Sequence, residues 1–251
     1  MSPASCASEG EDEDQWDLFQ EPDDFRPKSP PPTEVLQHLY DGTEVSLKLV
    51  GSHPLWGHHL WNAAPVMADY LQEHAEKFCA GRVILELGAA AGLPSIAADR
   101  AGASRVIATD YPDPDLLQTL QLNIDQNACK HTKTQGFIWG SDPSTLFTLA
   151  PNQYDTILMS DLVFNHQAHD ALLNTCDACL TRDSHRTPCV LVFFTHHRPH
   201  LAEKDTNFFQ LAKVRGYRCS RIREWRREPM FPDDPGDAEV KGSNGGHLRK
   251  S

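Results

Sequence analysis

The chain has 251 residues, 39% hydrophobic and 23% charged, which suits one globular domain with a sizeable core plus some tail and excludes a disordered protein. Its net charge of -12 speaks against general binding to a phosphate backbone, which needs clustered Lys and Arg, and favours a basic or cationic partner; no nucleic-acid surface is expected. No segment approaches the roughly 20 apolar residues that span a bilayer, the start lacks a secretory signal, and seven scattered cysteines fit reduced thiols, so a cytoplasmic protein without membrane contact is expected.

Residues 1–33 read as a flexible, acidic, Pro-rich tail: Glu9 to Asp14 is a charge run and Pro30-Pro-Pro32 closes the segment. Most of the chain's net negative charge lies there, and its plain reading is a solvated, solubilising segment, although Trp16, Leu18 and Phe19 leave room for a docking motif. Residues 34–251 form the expected folded domain. Glu44 to Val50 alternates polar and apolar residues as an exposed strand does, and Leu60 to Phe78 has helical spacing.

Strands and helices then alternate. The spacing predicts a strand at Val83–Leu87, a helix from Leu93, a strand at Arg105–Thr109, a helix over Pro114–Asn127, and strands near Phe137–Trp139 and at Tyr154–Ser160. A helix over Gln167–Leu180, a strand at Cys189–Phe194, a helix near Thr206–Val214 and a strand at Tyr217–Trp225 complete the pattern. Near-continuous apolar strands between helices predict an α/β fold with a mostly parallel sheet covered on both faces.

Glu86-Leu-Gly-Ala-Ala-Ala-Gly92 leaves the first of these core strands, and Asp110 ends the next. That order, a tight glycine turn and then a carboxylate at a strand tip, places an acid beside a cofactor ribose. A dinucleotide fingerprint starting at Gly88 would need glycines where Ala90 and Leu93 stand, which disfavours NAD. S-adenosylmethionine carries no phosphate and fits better: backbone groups of the Gly88–Gly92 turn meet its amino-acid portion, Asp110 holds the ribose, and acidic surroundings favour the sulfonium. Taken singly, the glycines could merely shape a turn and Asp110 could merely cap the next helix.

The motifs Pro54-Leu-Trp-Gly-His58 with Leu60-Trp-Asn62, Leu85 to Pro94 around the glycine turn, and Ser160-Asp-Leu-Val-Phe-Asn-His166 resemble those of the class I, seven-strand S-adenosylmethionine-dependent methyltransferases. Within that class the chain is similar to family 16, and to its fungal members that methylate the N-terminal glycine amine and a nearby lysine of translation elongation factor 1-alpha. The acidic start and the stretch from Pro229 to Glu239 share the resemblance, which covers nearly the whole chain. It implies a Rossmann-like seven-strand sheet and a monomer whose partner is that elongation factor. It also implies cofactor contacts at Trp56, Gly88, Ala89, Ala90, Asp110, Trp139 and Ser160. Asp110 and Ser160 end parallel strands on the edge where an open sheet binds ligands, and Trp139 suits a base; Trp56 rests on resemblance alone, and both rings could instead be core.

Asp161 and Phe164 fit the family's Asp/Glu-x-x-Tyr/Phe motif, whose carboxylate and ring face the substrate amine; a helix cap is the other reading of Asp161. Transfer requires a neutral amine. With reference pKa values near 7.7–8.0 for an α-amino group and 10.4 for lysine, neutralising lysine costs about 3.5 kcal/mol more, so a chain terminus is the easier target. Aromatic faces could hold the methylated cation for another round. The rivals are a small-molecule amine methyltransferase of nicotinamide type and a catalytically silent cofactor-binding module.

Cys176-x-x-Cys179, with His185 and Cys189 beyond, reads as buried core rather than a metal set. His196, His197 and His200 follow a strand on the sheet's functional edge and read as solvated loop residues, although one could line the substrate pocket; Arg221 to Arg227 reads as the wet face of an edge strand. The family's last strand is apolar and aromatic, whereas residues 242–251 here are rich in Gly and polar residues, so that strand is doubtful.

Overall fold

Side chains alternate strictly between two cores along β7 (Cys189–Thr195): Cys189, Leu191 and Phe193 enter one, while Val190, Val192 and Phe194 enter the other. The period of two makes such a strand a divider between helical layers. On one face Val66, Met67, Tyr70 and Leu71 of α1 (Ala63–Glu73), with Phe78 of the short α2 (Ala75–Phe78), meet the first set. On the other, Leu172, Leu173 and Cys176 of α6 (His169–Cys179) and Phe208 and Ala212 of α7 (Ala202–Val214) meet the second. Each large apolar side chain so buried contributes about 1.5–3 kcal/mol. The computed structural model describes residues 30–54, 57–151, 153–182, 187–228, 230 and 242–250, and all of these elements lie within Pro31–Ser251.

The remaining strands are β3 (Val83–Leu87), β4 (Arg105–Asp110), β5 (Thr132–Gly136), β6 (Thr156–Ser160), β8 (Tyr217–Arg226) and β9 (Gly242–Lys250), in a seven-stranded sheet ordered β5-β4-β3-β6-β7-β9-β8. Pairs from β5 to β7 are parallel, and β9 runs antiparallel between β7 and β8. The chain moves outward from β3 through β4 to β5 and returns at β6 on the other side of β3. That reversal opens a crevice beyond the carboxyl ends of β3 and β6.

A separate hairpin, β1 (Thr33–His38) and β2 (Glu44–Leu49), buries Val45, Leu47 and Leu49 against α3 (Leu93–Arg100) and α4 (Pro114–Gln126). The buried Asn123 of α4 ties three segments together. It accepts from the Lys48 amide at 2.8 Å and donates to the Lys48 carbonyl at 2.9 Å and the Ala91 carbonyl at 3.0 Å. Asn123→Ala is expected to lower stability by about 1–3 kcal/mol, because these backbone groups lose their partner; a denaturant midpoint equal to wild type would contradict this.

Four sequence expectations change. The strand placed near Phe137–Trp139 lies earlier, at β5, whose polar Thr-Lys-Thr-Gln-Gly run suits a sheet edge; Phe137 to Trp139 follow it as the chain leaves the sheet. The doubtful last strand is present as β9, because ladder hydrogen bonds on both sides depend on the backbone and not on side-chain hydrophobicity. Strand β1 begins at Thr33, inside the stretch expected to be tail, and a short helix α5 (Ser144–Leu149) lies where the spacing predicts no element. β8 is an edge strand, as its basic face suggested. No helix among the described residues is long and apolar enough to cross a membrane.

Candidate cofactor and substrate site

The chain leaves β3 through a turn that only unusual backbone conformations permit: φ is +64° at Gly88, +47° at Ala90 and +81° at Gly92. A side chain at Gly88 would lie 2.7 Å from Leu162 and 3.2 Å from the Trp139 ring, so glycine keeps this stretch of the crevice open. Ala90 tolerates its strained angle because its amide donates to Asp110 Oδ2 at 2.6 Å. Oδ1 of Asp110 accepts from the Tyr111 amide at 2.7 Å. Each oxygen keeps lone-pair capacity for a further donor. Burial raises the Asp110 pKa against the pull of those amides. Asp110 does not cap the following helix; Asp113 does, accepting from the amides of Asp115 and Leu116.

A cavity of about 440 Å³ opens beside this turn. Gly88, Ala90, Asp110, Trp139 and Ser160 line it together with Asp161 and Phe164, so the structure gathers seven of the nine sequence-selected residues around one space. Ala89 turns into the apolar core but borders a smaller adjoining hollow with Glu86 and Ser160. Trp56 lies outside the described residues, as do His185, the acidic tail and residues 231–239.

Among the described residues, three buried oxygens around these spaces have no hydrogen-bond partner: Glu86 Oε1, Ser160 Oγ and Asp161 Oδ2. Orphaned buried groups are rare in folded proteins and mark places where a ligand completes the bonding. Glu86 was not singled out as a site residue, although its place in the glycine motif could have flagged it. Its other oxygen accepts from the Ser95 hydroxyl, and burial pushes its carboxyl up to about 8. Between its ordinary range and about pH 8 the folded state holds a proton that the unfolded chain has lost, so this group's contribution to stability falls as pH rises through that window.

Asp161 stands just past β6 in a left-handed conformation, φ +53°. Its amide donates to the Phe193 carbonyl at 2.8 Å, and its Oδ1 accepts from the Thr195 amide at 2.7 Å. It caps no helix. The loop after it is fixed by His169, whose ring nitrogen donates to the Val163 carbonyl at 2.7 Å. Phe164 remains 40% exposed at the cavity rim.

The loop histidines differ from expectation. His196 and His197 are largely covered, their side chains 10% and 19% exposed, while His200 is exposed. Asp205 of α7 bridges His166 at 2.6 Å and His196 at 2.7 Å, a contact between remote segments that no local pattern announces. Burial alone would raise the Asp205 pKa, but the two imidazoles hold it low. Cys176 and Cys179 pack in the core, where burial pushes the Cys179 thiol up to about 12. Among the described residues no group of His, Cys, Asp or Glu is arranged to hold a metal ion.

This sheet, with its antiparallel last hairpin and a glycine turn answered by a carboxylate at the next strand tip, is the fold of a Rossmann-like methyltransferase. Solved structures agree on the fold: TYW2 of P. horikoshii in complex with MeSAdo superposes with a TM-score of 0.54 at 17% identity, over 89% of this chain and 73% of that one. The YcgJ protein from Bacillus subtilis gives 0.56 at 10% identity, over 74% and 98%. The chain belongs to the lysine methyltransferase family, whose model matches residues 42–215. Among curated relatives, the protein N-terminal and lysine N-methyltransferase efm7 of Schizosaccharomyces pombe is 43% identical over 240 residues, spanning 92% of this chain and 93% of its own. The protein of the same name from Eremothecium gossypii is 42% identical over 247 residues, 90% of each chain.

Proposed function

We propose that this protein is an S-adenosylmethionine-dependent methyltransferase acting on the N-terminal glycine amine and a nearby lysine of translation elongation factor 1-alpha, as a cytoplasmic monomer. The observation that carries the reading is the placement of a buried, unpartnered carboxylate oxygen of Asp161 on the same cavity as the glycine turn and Asp110. The names of the curated relatives support both classes of amine.

The residues present fit the cofactor. Asp110 retains acceptor capacity for the ribose hydroxyls, the Trp139 ring offers a flat apolar face for the base, and Ser160 Oγ and Glu86 Oε1 await polar partners on the amino-acid side. For Trp56, a place beside the methionine portion is supported by the family resemblance alone. When bound, S-adenosylmethionine supplies a methyl group on a positively charged sulfur. Asp161 accepts from the substrate amine and orients its lone pair, while Phe164 borders the reacting nitrogen and excludes water. The half-buried apolar surroundings disfavour the charged amine and so promote loss of its proton to solvent.

Glu86 couples this site to pH. A cation beside Oε1 favours the ionised carboxylate, so cofactor uptake is expected to release a proton and to tighten as pH rises toward about 8. Calorimetry in buffers of different ionisation heat reads the released proton, and Glu86→Gln should abolish the dependence. A wild-type affinity flat with pH would contradict this role for Glu86.

Incubation with methyl-labelled cofactor tests the function. Label should enter a peptide with a free N-terminal glycine followed closely by lysine, and not nicotinamide; label in nicotinamide alone would replace this reading with the small-molecule one.

A further inference from the structure

His197 follows β7 and touches three groups that line the substrate end of the cavity without lining it itself. Its ring stands edge-on to Trp61, with centroids 4.7 Å apart, and to Phe164, 5.9 Å apart. Its Nε2 lies 3.2 Å from Asp161 Oδ1, within reach of charge attraction but not aligned for a hydrogen bond. Asp161 is thus hydrogen-bonded through one oxygen only, to the Thr195 amide, with the imidazole set against that same oxygen, and the other oxygen is left buried and without a partner among the described residues. A carboxylate held in this one-sided way presents a single acceptor in a fixed direction, which amine alignment demands.

We propose that His197 is a positioning residue for the acceptor amine, setting the orientation of Asp161 through its nitrogen and the aromatic wall of Trp61 and Phe164 through its ring. This rests on the functional reading above. The two parts of the imidazole have separable consequences: the ring shapes the wall that receives the peptide, and the nitrogen steers the carboxylate at the moment of transfer.

The test compares wild type, His197→Ala and His197→Phe on a synthetic peptide with a free N-terminal glycine followed closely by lysine, with S-adenosylmethionine binding measured by calorimetry. His197→Ala should raise the peptide KM and lower kcat, each about tenfold or more, while cofactor affinity stays within about twofold. His197→Phe keeps a ring but no nitrogen, and should restore KM but not kcat. Wild-type constants in both variants would overturn the proposal. So would a parallel loss of cofactor affinity, which marks a general structural role. Absence of transfer by the wild-type enzyme, seen before any variant is compared, would remove the functional reading and this proposal with it.

Discussion

Asp110→Ala is expected to weaken S-adenosylmethionine binding by roughly a hundredfold or more, about 3 kcal/mol, as measured by calorimetry. Two losses combine. The ribose hydroxyls lose a charged acceptor, and the Ala90 amide loses the 2.6 Å bond that holds a non-glycine residue at φ +47°. The second loss matters because the Ala90 turn forms part of the cavity wall. Asp110→Asn should recover only part of the affinity, since one of its two terminal atoms is now a donor facing a backbone N–H. Affinity in the Ala variant equal to wild type would remove Asp110 from the cofactor site.

Asp161→Ala is expected to leave cofactor affinity unchanged and to lower kcat by about a hundredfold, the scale on which misplacing a reacting group acts. The alanine also removes the acceptor of the Thr195 amide and must adopt a left-handed backbone. Asp161→Asn separates these effects, because asparagine tolerates that backbone and can still accept from Thr195. It should fold as wild type and still transfer slowly, since the atom then facing the amine is an N–H donor where Asp161 offers an acceptor. Unchanged turnover in both variants would exclude Asp161 from the mechanism.

What was legible in the sequence followed from local pattern. The apolar strands and the glycine turn announce themselves over a few residues, and so do the acid at the next strand tip and the motif after β6. They account for the parallel strands β3, β4, β6 and β7 and for the glycine turn, the carboxylate and the motif residues on the cavity. Polar or Gly-rich strands stayed hidden, because β5 sits at an edge and β9 is held by backbone bonds on both sides, neither of which requires an apolar run. Contacts across long sequence distances stayed hidden too. Asn123 reaches the hairpin 75 residues away, and Asp205 reaches His166 39 residues away. His197 looked like a solvated loop residue because only the folded chain brings Trp61, Asp161 and Phe164 around it.

The glycine turn, Asp110 and Asp161 meet around one cavity suited to moving a methyl group from a sulfonium donor to a protein amine. Mass spectrometry of the first peptide of unmethylated translation elongation factor 1-alpha, after incubation with this protein and S-adenosylmethionine, tests that transfer most directly. Added methyl mass on the N-terminal glycine and on a nearby lysine is the predicted result; an unmodified first peptide, with the cofactor bound and the elongation factor intact, would contradict it.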